Sequence, residues 1–534
     1  MKIVSFSEAI SYIQNDDLIL IGGSGGGHAV PEGLIKALQS RFLKENTPQN
    51  LTLLHPVGIG DMVDQGVSRL AYPNLLKRIV TGALVNTPAI QEMAKKDEVE
   101  AYTLPQGSLS QLMREMASGR PGLLSKVGLH TFVDPRNGGG RQSESAKDDL
   151  VKVMEVEGNE WLFYKPYHVD IAFLRGTTAD EMGNITMEKE AVFGEMLPMA
   201  QATKRGGGVV IVQVERLAKY GTLNPKDVKI PGMLVDLVVV EPDQMQTYKM
   251  SYSPSYSGEL RVPLSEIKVL DLDARKVIAR RAAMELFPGA ICNLGAGVST
   301  GISNIAAEEG FLDQIVLTNE QGLIGGAPAS GSDAGAAMNY DAMIDQPYQF
   351  DFYDGGGLDL AFLSFAQVDP NGSVNVSRFG EKIIGIGGFQ NIAQNGKKVV
   401  FSGTFTAGGL DITWQNGKTL INNEGKFGKF VDQLDQISFN GKFGFESGQE
   451  IIFITERAVF TVNEKGMVLS EVAPGIDLGN DILDHMGFKP QIADDLELMD
   501  ERLFLPGPMN YAEELLRKPQ LNLPNRLKGL PEDN

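Results

Sequence analysis

Cysteine is the scarcest reactive residue in this chain: Cys292 stands alone among 534 residues. One cysteine excludes an internal disulfide and a paired-thiol motif, and it suits a reducing compartment. Within Ala290-Ile291-Cys292 it reads as a small buried hydrophobe rather than a nucleophile. Histidine is nearly as scarce: the five residues are scattered, and no HExxH, EF-hand or other ligand spacing occurs, so no metal is expected. Positive charge is in deficit, with Lys+Arg 48 against Asp+Glu 68 and a net charge of −20. A surface of that sign repels phosphate backbones and anionic lipid, which argues against nucleic-acid and membrane partners. A small anionic ligand then needs local basic groups or helix N-termini to offset the field. No apolar run reaches the roughly 18 residues of a membrane span. Met1 to Ile10 lacks the basic and apolar regions of a signal peptide, so a cytoplasmic protein is expected.

Glycine, by contrast, is abundant, with 61 residues, many at the ends of short apolar runs. Phe6 to Asn15 predicts a short amphipathic helix, and Asp17 to Ile21 a buried strand running into Gly22-Gly23-Ser24-Gly25-Gly26-Gly27. A helix from about Pro31 follows, since proline suits a first helical turn. The same strand, glycine turn and helix recur in Gly289 to Leu294, Gly295 to Gly301 and Ile302 to Glu309. Leu51 to Leu54 with His55-Pro56-Val57-Gly58 then matches Ile315 to Leu317 with Thr318 to Gly322. Asp170 to Leu174 mirrors Asp359 to Leu363, and Gly208 to Ile211 falls opposite Lys398 to Phe401. These collinear matches predict two homologous α/β halves and a period far too long for a solenoid. The first half covers residues 1–260 and the second 261–520, with a loosely held tail over 521–534. The change in offset between matches places about 75 extra residues in the first half between Gly58 and Val169. Arg141 to Asp149 in that span reads as a solvated loop, and Met250 to Pro263 as a polar linker.

Several familiar motifs fail. Neither glycine turn fits GxGxxG, because His28, Val30 or Thr300 stands where the third glycine belongs. Gly417-Lys418-Thr419 resembles the end of a P-loop, but Ile412 occupies the leading glycine's place. Both Gly22 to Gly26 and Gly297 to Gly301 satisfy GxSxG; two copies in a duplicated chain read as a shared structural turn rather than a nucleophile elbow. What remains is Glu320, at the carboxyl end of a buried strand, where ligands of open α/β sheets sit. A carboxylate can attack an activated carbonyl if an oxyanion site stabilises the tetrahedral intermediate. The Gln106 side chain and backbone N–H groups in Ser402 to Gly409 are candidate donors. The matching position in the first half is Pro56, so only one half can carry the nucleophile.

At these residues the sequence resembles family I coenzyme A-transferases, specifically the long single-chain acetate/propionate or short-chain acyl-CoA:acetate type. The resemblance rests on Asp17 to Pro31, Asn293 to Gly301, Asn319-Glu320-Gln321-Gly322, Leu104-Pro105-Gln106-Gly107, Leu129 to Arg136 and Phe401 to Gly409. It covers nearly the whole chain, the first half being similar to the α subunit and the second to the β subunit of two-subunit members. It implies NagB/RpiA-like domains, each a three-layer αβα domain, with Glu320 as nucleophile and Gln106 and the Gly409 backbone N–H at oxyanion sites. It also implies pantetheine contacts at Gly295, Ala296, Gly297, Val298, Ser299, Gly408 and Gly409. Coenzyme A and acyl-CoA are then substrates, with no prosthetic group, small carboxylates are partners, and the chain forms a homodimer or homotetramer. A short-chain acyl-CoA hydrolase and a non-catalytic ligand-binding scaffold are the alternatives. No basic residue near Glu320 in sequence demands a dicarboxylate, which favours short monocarboxylates such as acetate, propionate or acetoacetate.

Overall fold

A computed structural model describes residues 1–263 and 267–522, and all but the first two residues of the expected tail lie outside it. The first sheet is built from β1 (Lys2–Ile3), β2 (Leu18–Ile21), β3 (Leu51–His55), β4 (Leu76–Thr81), β5 (Glu100–Thr103), β6 (Ile171–Arg175), β7 (Val209–Val214) and β8 (Leu237–Val240). Its order is β1-β8-β7-β6-β2-β3-β4-β5, and every pairing is parallel. Parallel strands are covered on both faces, which is why Ile171 to Leu174 is buried throughout and reads as an unbroken apolar run.

The second sheet comprises β9 (Ile291–Leu294), β10 (Val316–Asn319), β11 (Leu323–Ile324), β12 (Ala342–Met343), β13 (Leu360–Ser364), β14 (Lys398–Ser402), β15 (Glu450–Ile454), β16 (Ala458–Asn463), β17 (Gly466–Val472) and β18 (Gln491–Leu498). The order is β12-β11-β10-β9-β13-β14-β15-β16-β17-β18. In both sheets the chain builds outward from one strand, β2 or β9, then returns to that strand's other side. The reversal lies between β2 and β6 in one sheet and between β9 and β13 in the other, where α/β folds open a ligand crevice. The two glycine turns leave β2 and β9 at these crevices.

The helices that frame the site are α1 (Glu32–Glu45), α2 (Gln106–Ser118), α3 (Met196–Arg205), α4 (Ala274–Ala283), α5 (Gly301–Glu309), α6 (Gln346–Asp354) and α7 (Phe389–Asn395). Helix α1 buries Leu34, Ile35, Leu38 and Phe42, one face of a 3.6-residue period, against the first sheet. Asp273 caps α4 by accepting from the Lys276 N–H, as its place before an apolar-periodic run requires.

Four expectations change. The predicted helix at Phe6 to Asn15 ends at Ile10, because Asp17 draws the Gln14 N–H into a turn and Asp16 adopts a left-handed φ of 67°. The Arg141 to Asp149 segment has no regular structure, but it is not a free loop. The Gln142 N–H donates to the Ala101 carbonyl and the Ser143 hydroxyl accepts from the Ala101 N–H, so the segment covers the open edge of β5. The predicted linker at Met250 to Pro263 is also packed: Tyr256 is buried against Ala329 and Ala336. The Gly417 turn joins Asp411–Gln415 to Lys418–Asn423 as a hairpin, with Asn416 and Gly417 both at positive φ, and is no phosphate loop. Asn522 donates to the Gly289 carbonyl and the Asp359 carboxylate, so the described start of the tail is pinned.

Candidate active site

Glu320 stands at the first position of a three-residue connection between β10 and β11, whose Asn319 and Leu323 pair directly. Such hairpins close with a residue at positive φ, and here it is Gly322 at +103°. A Cβ at Gly322 would lie 2.0 Å from the Ile344 carbonyl oxygen, so only glycine fits. The Asn319 side-chain carbonyl accepts from the Gln321 N–H at 2.8 Å and fixes the turn. Beneath the strand, Thr318, Asn293, Gln349 and Tyr353 form a buried network: the Asn293 and Gln349 amides donate to the Tyr353 hydroxyl, which donates to Thr318 at 2.8 Å. The nucleophile candidate therefore projects from a rigid platform.

Glu320 is half-buried, and its carboxyl meets Gly388, where a Cβ would come within 3.1 Å of Cδ and Oε2. The Gln321 amide donates to Oε1 at 3.4 Å. Burial pushes the Glu320 carboxyl up to about 7, opposed by this one amide, and no cation among the described residues acts on it. A nucleophile poised near neutrality is the pattern expected of a working carboxylate.

Gln106 opens α2 and is 2% exposed. Its backbone N–H donates to the Gly387 carbonyl at 2.9 Å, and a Cβ on Gly387 would stand 3.7 Å from its side-chain Oε1. The adjacent residues Gly387 and Gly388 thus touch Gln106 and Glu320, so the structure brings the two predicted residues to one place from opposite sheets. Next to them the Gly107 N–H donates to Asn391 of α7, and Asn391 donates in turn to Asp354 at the end of α6. Gln111 reaches the same carboxyl, which burial pushes up to about 7. The first glycine turn closes the other side: His28 is buried and lies against the Ala334 carbonyl and Gly335, which also meets Gln321.

The remaining predicted residues lie along the same sheet edge. Gly295 to Ser299 follow β9, with Ala296 and Gly297 exposed, and the Ser364 hydroxyl at the end of β13 donates to the Ala296 carbonyl. Gly408 and Gly409 are exposed beyond β14, beside Phe427, Lys426 and Asn423. Among the described residues, no hydrogen bond joins either loop to Glu320 or Gln106. Since β10, β9, β13 and β14 are consecutive parallel neighbours, β14 lies roughly 14 Å from β10 at ordinary strand spacing. The serines of the two GxSxG turns are buried, and among the described residues neither hydroxyl has a partner and no base reaches them. Cys292 is buried as expected.

Sequence reasoning missed Gly388, Gln346, Asn391 and Asp354. The run Gly385-Ile386-Gly387-Gly388 carried a signal of close approach; the three polar residues carried none.

A model of the coenzyme A transferase family matches residues 3–241. An acetate CoA-transferase of Escherichia coli K12, YdiF, is 44% identical over 96% of this chain and 97% of its own. A caffeate CoA-transferase of Acetobacterium woodii is 44% identical over 94% of this chain and 97% of its own. The crystal structure of YdiF from E. coli O157:H7, a thioester complex with CoA, superposes with a TM-score of 0.91 at 43% identity, covering 95% of this chain and 97% of that one. With a glutamate and a glutamine converging between two αβα sheets and relatives of this similarity along nearly its full length, the chain belongs to the coenzyme A transferase family.

Proposed function

We infer that this chain moves coenzyme A between a short-chain acyl-CoA and a free carboxylate such as acetate, and that Glu320 carries the group. The carrying observation is the convergence of a cation-free, half-buried carboxylate with the Gln106 amide at Gly387-Gly388. The ionised Glu320 attacks the acyl-CoA carbonyl, forming a C–O bond; the tetrahedral intermediate expels CoA thiolate and leaves a mixed anhydride. The thiolate attacks the glutamyl carbonyl, the donor acid leaves as carboxylate, and a γ-glutamyl-CoA thioester remains. An acceptor carboxylate then runs the same steps in reverse, so thioester energy is conserved and water must be kept out. Gln106 and a backbone N–H, assigned to Gly409, stabilise the oxyanions.

An acyl-CoA lying across the ends of β14, β13 and β9, past Gly408-Gly409 and Gly295 to Ser299, would deliver its thioester to β10. The exposed glycines there leave room for a pantetheine arm against the backbone. Gly409 reaches the reacting centre only if its loop extends back over the sheet edge. The absence of a cation acting on Glu320 supports monocarboxylates such as acetate or propionate over dicarboxylates. The repeated strand order supports two homologous domains, 1–260 and 261–520. A homodimer or homotetramer rests on the family resemblance, and a cytoplasmic location on the single buried cysteine. No helix of the described residues is long and apolar enough to cross a membrane.

The test is incubation with acetyl-CoA alone, followed by borohydride. Reduction at Glu320 with loss of activity is expected; inactivation without modification of the Glu320 peptide would overturn the assignment. Measuring CoA release with and without acetate separates transfer from hydrolysis, release being expected to depend on acetate.

A further inference from the structure

The Gln106 side chain does not end at the site. Its Nε2 donates to Gln346 Oε1 at 3.5 Å, Gln346 Nε2 donates to the Ser110 hydroxyl at 3.3 Å, and Ser110 donates to Glu195 Oε2 at 3.1 Å. All four residues are at least 98% buried. Gln106 and Ser110 lie four residues apart on α2, hence on one face, while Gln346 opens α6 and Glu195 immediately precedes α3. We propose that Glu195, acting through Ser110 and Gln346, fixes which way the Gln106 amide faces and so keeps an N–H of Gln106 presented to the reacting centre.

The argument is one of hydrogen-bond polarity, and it rests on Gln106 serving as an oxyanion donor. A carboxylate only accepts, so the Ser110 hydroxyl must spend its single hydrogen on Glu195. Ser110 then has only lone pairs for Gln346, which turns that amide's NH₂ toward Ser110 and its carbonyl toward Gln106. Facing a carbonyl, Gln106 must offer its NH₂ group; Oε1 is then turned toward Gly387, and the second N–H, which no group of the described residues accepts, is the one a substrate oxygen can take. With the chain reversed, the Gln106 carbonyl would face a developing oxyanion and repel it.

Glu195 has no competing task. It stands at the N-cap position of α3 but makes no side-chain cap, and Ser110 is its side chain's one hydrogen-bond partner among the described residues. A buried carboxylate is costly, and burial pushes this one up to about 8. The carboxyl is acceptor-only in its ionised form and can itself donate once protonated, so the Glu195→Gln comparison is made above pH 8. A glutamine would be the cheaper occupant, but its amide can donate as well as accept and would leave the chain free to reverse.

Gln106, Gln346, Ser110 and Glu195 also tie the two sheets together, so the experiment must separate positioning from stability. Glu195→Gln keeps size and removes the acceptor-only character. The expected result is a fall of about tenfold in kcat, less than the roughly hundredfold that losing a whole oxyanion donor costs. The KM for acetyl-CoA should change by less than about twofold and the melting temperature should not fall, since a buried ionisable group becomes neutral. In a Gln106→Ala background the same substitution should have no further effect. Ser110→Ala, which cuts the middle link with a smaller change, should reproduce the kcat loss if Glu195→Gln folds poorly.

Full kcat in Glu195→Gln and Ser110→Ala, with Gln106→Ala impaired, would overturn the relay while leaving the Gln106 role standing. Full kcat in Gln106→Ala would overturn both. Equal losses from Glu195→Gln with and without Gln106 would show that Glu195 acts elsewhere.

Discussion

At the scale of single residues, the chemistry depends on a carboxylate that is costly to ionise. As the proposed nucleophile Glu320 must be charged to attack, and burial raises it from the usual 4.5 to about 7. Its folded-state value lies above the unfolded one, so the native protein holds the proton more tightly. As pH rises from about 4.5 through 7, this group therefore subtracts from stability while the nucleophile is switched on. Two outcomes are expected. The kcat/KM should climb with pH and level off above about 7; a profile flat from pH 5 to 8 would contradict the assignment. Glu320→Gln should melt higher than the native protein above pH 7, with the difference closing toward pH 4.5; thermal unfolding across pH checks it. Glu320→Asp withdraws the nucleophile by about 1 Å or more and should lose on the order of 100-fold in kcat.

Glu320 and Gln106 could be proposed from sequence because their neighbours form recognisable motifs, and the structure brings the two together at Gly387-Gly388. Glu195 and Gln346 were not, because each matters through partners 85 to 240 residues away.

At the scale of elements, the strands were readable because parallel strands buried on both faces are apolar runs that stop at glycine. The hairpin was not: nothing in Leu323-Ile324 signals a reversal, and only pairing shows that it returns along β10. That return makes Gly322 a sharp test. Gly322→Ala places a Cβ 2.0 Å from the Ile344 carbonyl at a φ of +103°. A stability loss above about 1 kcal/mol is expected, with displacement of Glu320. Denaturant unfolding and kcat should fall together; unchanged stability would show that the turn is not as tight as described. The 402–409 loop shows the limit of motif reading, since its glycines point to contact with a ligand without saying how far from Glu320 the loop stands.

At the scale of the whole molecule, the site belongs to the seam between the sheets. Glu320 hangs from the second sheet and Gln106 from α2 of the first, and α2, α6 and α7 hold them in register through Gly107, Asn391 and Asp354. The repeated order of strands could be anticipated from collinear sequence matches. Which faces meet could not, because the packing of α2 on α6 rests on a glycine. A Cβ at Gly107 would lie 2.4 Å from a Phe350 ring carbon and 2.5 Å from Asn391. Gly107→Ala should therefore pry the seam open, costing about 1–3 kcal/mol by overpacking and lowering kcat well beyond the loss of folded protein. Calorimetry and single-turnover kinetics on that variant separate the two effects.

The most direct test of the central claim follows oxygen. In the presence of CoA-loaded enzyme and acetate labelled with ¹⁸O, attack by acetate on the glutamyl thioester leaves a labelled oxygen bridging the mixed anhydride. Thiolate attack on the acetyl carbonyl then strands that oxygen on Glu320. Mass spectrometry of the Glu320 peptide after one turnover should show ¹⁸O in its carboxylate, whereas turnover that leaves Glu320 unlabelled would contradict a covalent role.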